Sequence, residues 1–133
     1  MQTLDQRRAQ HAWQKAQEAR NTLGDKYGDY VNDAKGLPAL IMNSGLMQVM
    51  AFCEKKGDDR HRTLAKHLRQ WLHERFNTGE NFREFMQALM EADSQRFQMI
   101  TAEAFAWLKW LKQVAAALQQ QPAPNAPQAG QRG

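Results

Sequence analysis

Lys35-Gly36-Leu37-Pro38-Ala39-Leu40-Ile41-Met42-Asn43-Ser44-Gly45-Leu46-Met47-Gln48-Val49-Met50-Ala51-Phe52-Cys53 reads as a helix that is apolar on nearly every side, interrupted only by Asn43-Ser44-Gly45 and Gln48. A helix with so little polar surface has to be covered by other elements. Pro38 suits a first-turn position, where its missing N–H leaves no bond unmade, and Gly57, after Glu54-Lys55-Lys56, supplies the matching stop. The segment is therefore predicted to be the buried central helix of a small bundle.

Toward the N-terminus, Thr3 and Gln6 have the spacing of a capping box. A 3.6-residue period then puts Ala9, Ala12, Trp13, Ala16, Ala19 and Leu23 on one face, with Arg7, His11, Lys15 and Glu18 opposite. Tyr27, Tyr30, Val31 and Ala34 suggest a short helix before Gly36 and Pro38 redirect the chain. Toward the C-terminus, Asp58 or Asp59 caps a helix with an inward stripe of Leu64, Leu68, Trp71, Leu72 and Phe76, which stops near Asn77-Thr78-Gly79. Asn81 caps the next, bearing Phe82, Phe85, Met86, Leu89 and Met90. A turn or single coil over Asp93–Gln98 leads to a last helix whose start is marked by the staple spacing of Ile100 and Phe105. That helix carries Trp107, Leu108, Leu111, Val114, Ala115 and Leu118.

No alternating β pattern is present, so the expected fold is all-α: a single-domain bundle of five or six helices around a buried central helix, spanning residues 1–118. Residues 119–133 hold three prolines and no aromatic or large aliphatic side chain, and read as a disordered Pro/Gln/Ala-rich tail. Leu37–Cys53 is shorter than the roughly 20 apolar residues of a membrane crossing and puts Asn43, Ser44 and Gln48 at mid-depth, so no membrane partner is expected. The polar first twenty residues hold no signal peptide. Cys53 has no disulfide partner within the chain and reads as a small buried hydrophobe, which fits a reducing cytoplasm.

Patterns that carry catalysis are missing. His61, His67 and His73 are six apart, whereas ligands sharing a helix face need spacings of three or four. His73-Glu74 starts like a zincin motif, but Asn77 stands where the second histidine belongs. There is no phosphate loop or dinucleotide fingerprint, and Ser44 lies inside the apolar helix rather than on a nucleophile elbow. Asp58-Asp59 reads as a helix start, and Glu80/Glu84 and Glu91/Asp93 as solvated faces. We expect no enzyme activity, no metal and no cofactor.

Basic residues are the remaining signal. The formal net charge is +4, and between Lys55 and Arg75 seven cations stand against three acids. Arg62, Lys66, Arg69 and His73 follow a helical repeat, which predicts a stripe about 16 Å long, enough to touch two or three phosphates. Arg7, Arg8, His11 and Lys15 form a shorter patch on the first helix. A solvated amphipathic face accounts for the same pattern. The four tryptophans lie on or beside apolar faces and read as core rather than as base-stacking platforms, with Trp110, flanked by Lys109 and Lys112, the nearest to an exception.

Two blocks point to a family. Lys35-Gly36-Leu37-Pro38-Ala39-Leu40-Ile41 with Asn43-Ser44-Gly45-Leu46 and Ala51-Phe52 is the first. Phe97 followed by Ile100-Thr101-Ala102-Glu103-Ala104 and Trp107-Leu108-Lys109-Trp110-Leu111-Lys112 is the second. In order and spacing they resemble the small, all-helical subunit of Cmr-type (type III-B) CRISPR RNA-guided effector complexes, over most of residues 4 to 118. The resemblance implies a non-catalytic subunit of an RNA-targeting complex in antiviral defence. It would self-associate into a short filament, contact the backbone and large subunits, and touch the backbone of guide RNA and target RNA without reading sequence. The residues expected to contact nucleic acid are Arg7, Arg8, Lys15, Lys35, Arg62, Lys66 and Arg69. Lys35 joins them because the matched block carries a basic residue there, at an expected exposed corner between two helices. Two alternatives are a free-standing helical adaptor with no nucleic-acid contact and a small all-α enzyme. A helix-turn-helix DNA reader fits poorly, because the central helix is too apolar for a major groove.

Overall fold

The computed structural model describes residues 1–122, folded as six α-helices and one 3₁₀ turn, with no strand among them. The helices are α1 (Leu4–Leu23), α2 (Tyr27–Ser44), α3 (Leu46–Lys56), α4 (Asp59–Phe76), α5 (Phe82–Glu91) and α6 (Ser94–Gln119). The all-α bundle expected from the sequence is present. Beyond Gln119 the expected tail lies, from residue 123 on, outside the described residues.

Capping follows the sequence closely. The Thr3 hydroxyl accepts from the Gln6 amide while the Gln6 side chain accepts from the Thr3 amide. Asp58, Asn81 and Asp93 each accept a backbone N–H in the first turn of α4, α5 and α6. Asp93 thereby starts α6 at Ser94, within the stretch that the sequence pattern assigns to a turn or single coil. Asn77, with φ 56°, closes α4 in the left-handed region.

The Lys35–Cys53 segment is built differently from its reading. Pro38 does not open a helix; it sits inside α2, which continues to Ser44. The break comes at Gly45, whose φ of 85° and ψ of 157° lie where L side chains rarely go. Two helices thus meet at an elbow. Their buried edge is Leu37, Ile41, Leu46, Val49, Met50 and Cys53, while Leu40, Phe52 and Met42, the last 77% exposed, face outward.

The central helix is α4, which packs against each of the other five. Leu64, Ala65, Leu68, Trp71 and Leu72 are buried with His61, His67 and Arg69. Polar side chains inside the bundle hide its central place from a hydropathy reading. Similarly, α1 is wedged between α4 and α6: its Ala12, Ala16 and Ala19 are fully buried and His11, expected on the solvent side, is buried too. The narrow alanine stripe excludes Trp13, which is 43% exposed instead of core.

Candidate nucleic-acid interface

The α4 stripe divides in two. Arg62 and Lys66 are exposed and have no ion pair among the described residues. Arg69, counted with them by periodicity, is only 7% exposed, and its Nε–H donates to the Glu80 carbonyl at 2.8 Å. It anchors the chain entering α5, so the expected stripe of four does not form. His73 is half-buried, and its Nδ1 accepts from the Gly79 amide at 2.9 Å, which leaves Nε2 carrying the proton.

The ridge nevertheless continues. Beyond Lys66 the outward edge of α4 enters a groove of about 870 Å³ lined by Lys15 of α1, Gln70 and His73 of α4, and Arg96 of α6. Arg62 to Asn77 covers about 22 Å at 1.5 Å per residue. Acids interrupt the groove: Glu74 and Glu80 line it, and Glu18 lies 3.0 Å from the Lys15 ammonium.

The α1 patch divides in the same way. Arg7 is half-buried, its guanidinium 6.0 Å from the centre of the Trp71 ring and 3.8 Å from Glu74. Arg8 is bound inward: Nε and Nη2 donate to the two Glu103 oxygens at 2.6 and 2.9 Å. Trp71 Nε1 donates to the same carboxylate at 3.1 Å, and Arg75 stands 3.5 Å away. Burial pushes the Glu103 carboxyl up, yet the bonds from Arg8 and Trp71 and the charges of Arg8 and Arg75 outweigh it and hold it below its ordinary value. This knot joins α1, α4 and α6, and Arg8 is a fold residue. Lys35, in mid-helix rather than at a corner, is exposed. It lies about 200° around α2 from Asp33, which pairs with Arg60 of α4 at 3.1 Å, so Lys35 belongs to another surface.

Two histidines are buried in the bundle, and His11 also lines the groove. His11 Nδ1 accepts from Trp107 Nε1 at 2.9 Å, and His67 Nδ1 pairs with the Tyr30 hydroxyl at 2.9 Å. Burial, with nearby Lys15, lowers His11 to about 4 and His67 to about 3. Glu74 at 3.9 Å and Glu18 at 3.6 Å are too far to hold a proton on them, and protonation of His11 Nδ1 would break its bond from the Trp107 indole, which can only donate. Sequence reasoning misses this pair because periodicity puts His11 on the outer face.

No group of three or more His, Cys, Asp or Glu side chains is arranged to hold a metal ion among the described residues. Cys53 is buried, and burial pushes its thiol up to about 11. No helix among them is long and apolar enough to cross a membrane.

Fold and site define a small all-α bundle with two kinds of outer surface, a cationic ridge on α4 and an apolar elbow between α2 and α3. The family described as "CRISPR-associated protein (Cas_Cmr5)" matches residues 4–118, and the chain belongs to that family. A relative from Thermus thermophilus, named CRISPR system Cmr subunit Cmr5, is 35% identical over 118 residues, covering 89% of this chain and 97% of its own. A Thermotoga maritima protein of the same name is 30% identical over 88 residues, covering 66% of this chain and 65% of its own. The crystal structure of a CRISPR-associated Cmr5 family protein from Thermus thermophilus superposes with a TM-score of 0.76 at 34% identity, covering 89% of this chain and 98% of that one. The expected family and fold are both borne out.

Proposed function

We propose that the chain is the non-catalytic small subunit of a type III-B CRISPR effector complex, acting in the cytoplasm in antiviral defence. It lines the path of the guide RNA and its paired target. The observation that carries the nucleic-acid reading is the unpaired Arg62–Lys66 ridge running into the groove at Lys15 and His73. Cations free of protein partners are available to phosphate, whose contacts position a chain on nucleic acid without reading its sequence. Arg7 borders the groove, Lys35 supplies a contact on a second face, and Arg8 and Arg69 serve the fold instead. One copy neutralising about three phosphates of a single strand gives a shallow salt slope, near −2, strengthened by repetition along a filament.

The elbow is the surface we assign to a second copy of the chain in that filament. Leu40, Val49 and Phe52 line a shallow groove of about 410 Å³ with Ser44 and Gln48 at its rim, a mixture suited to a subunit contact. Backbone and large subunits flank the assembly.

The test is reconstitution of the complex with R62E/K66E. Reduced RNA retention, with a melting temperature within a few degrees of the parent, supports the reading. Unchanged retention favours a free-standing adaptor, and loss of the fold would show the ridge to be structural.

A further inference from the structure

The groove beyond Lys66 changes character along its length. Near the ridge, Lys15 presents an ammonium and His73 a neutral Nε2–H. Farther on, the groove is lined by Phe76 and Asn77 at the end of α4, by Glu80 of the following loop and by Arg96 of α6. Phosphate is a poor occupant of that far end. A helix C-terminus carries partial negative charge, and the Glu80 carboxylate, exposed and without an ion pair among the described residues, adds a full one. The cation there, Arg96, is held as a plane rather than left as a free charge. Its Nη2 donates to the Phe76 carbonyl at 2.6 Å, and its guanidinium carbon lies 5.9 Å from the centre of the Phe76 ring, beside Arg75 at 5.3 Å from the same ring. Arg96 is nevertheless exposed, and a guanidinium fixed on one side by a carbonyl and a ring offers its other side for stacking.

We propose that the far end of the groove holds one unpaired nucleobase, stacked on Arg96 with its Watson–Crick edge donating to the Glu80 carboxylate, while the phosphate of the same nucleotide lies at Lys15 and His73. This base site rests on the reading of the ridge as a phosphate contact. From His73 to Asn77 is about one turn, roughly 6 Å along α4, which is the step from a nucleotide's phosphate toward its own base. A cleft of about 870 Å³ has the size that small ligands occupy, roughly 300–1,000 Å³, whereas phosphates alone need only a ridge. Every base has a π-face and at least one N–H on its Watson–Crick edge, so a guanidinium plane with a carboxylate acceptor takes any of the four without choosing among them. In a duplex those N–H groups are engaged in pairing and the faces are stacked on neighbours. The site therefore selects unpaired nucleotides, and the two acids that interrupt the basic groove mark where a strand turns its base, not its phosphate, toward the protein.

The experiment titrates the ¹⁵N-labelled full chain, in low salt and up to millimolar ligand, with a cytidine hexamer and with the same ribose-phosphate hexamer lacking its bases. The cytidine hexamer is expected to bind at least about fivefold more tightly, the low end for one stacked base, and to move the Arg96 Nε–H resonance that the base-free strand leaves in place. E80A is expected to bring the ratio below about twofold while the base-free strand binds as well as before or better, since an acid beside an anion is lost. The bond from Arg69 to Glu80 uses the backbone carbonyl and survives that substitution. R62E/K66E should weaken both strands and keep their ratio. Equal affinity for the two strands leaves the phosphate ridge standing and overturns the base site. So does an E80A chain that gains affinity for both strands alike, which would make Glu80 a repulsive charge and nothing more. Binding of neither strand at millimolar concentration overturns the ridge itself, and the base site with it.

Discussion

Replacing Glu103 by leucine separates the two roles that the sequence pattern merges on Arg8. The carboxylate is almost fully buried and receives Arg8, Trp71 and, at 3.5 Å, Arg75. Leucine conserves volume but strands two guanidinium groups and an indole N–H. Breaking a buried pair from one side costs about 3–5 kcal/mol. Arg8 keeps Asp5 within 3.5 Å, and both arginines retain some contact with water, which places the value nearer about 3 than 5. For a chain of this length that is a fall in melting temperature of about 10–15 °C. Urea denaturation of E103L and R8A should show clear destabilisation, R8A by about 2 kcal/mol because Glu103 retains Trp71 and Arg75. K66A should stay within about 0.5 kcal/mol of the parent. Because the Glu103 carboxyl is held low, the deficit of E103L should persist at mildly acid pH and shrink only below the ordinary carboxylate range. An E103L chain within about 1 kcal/mol of the parent at neutral pH would refute the knot and return Arg8 to the surface.

Other consequences are testable with the same purified chain. His11 and His67 have folded values below that of an unfolded histidine, so the unfolded state binds more protons, and stability falls as pH drops from about 6.5 toward 4. At up to about 1.4 kcal/mol per pH unit for each group, H67Q should remove roughly half of that dependence; an unchanged slope would count against burial as its cause. G45A meets no atom within 4 Å, yet forces a side chain onto φ 85°, and should cost about 1–3 kcal/mol by denaturation. G36A, in mid-helix with the same free space and no strained φ, should instead stabilise by about 0.5–1 kcal/mol, and a destabilised G36A would mean that α2 breaks where the sequence suggested.

Caps and family blocks were legible in the sequence because each rests on a few local residues: Thr3 with Gln6, Asn81, Asn77, and the apolar runs of α2, α3 and α6. The place of the break was not. Gly36, Pro38 and Gly45 are all plausible interruptions, and only packing decides that α2 tolerates the first two and bends at the third. Nor could periodicity show that α4 is surrounded on most sides, since its buried Arg69 and His67 find polar partners on other segments, while buried His61 pairs with Asp58 at the helix's own N-cap. The ridge was half legible for the same reason: a helical repeat gives the direction in which Arg62, Lys66 and Arg69 project, but not that the chain entering α5 covers the last of them. Arg8 was lost to a carboxylate 95 residues away.

The central claim is that Arg62, Lys66 and the groove beyond them lie against the phosphate backbone in the assembled complex. Ultraviolet crosslinking of the reconstituted complex to guide and target RNA, with peptide mapping of adducts on this chain, reads that directly. The account predicts adducts concentrated between Arg62 and His73 and at Lys15, lost in R62E/K66E. Adducts confined to the elbow around Leu40 and Phe52, or none on the chain at all, would contradict it.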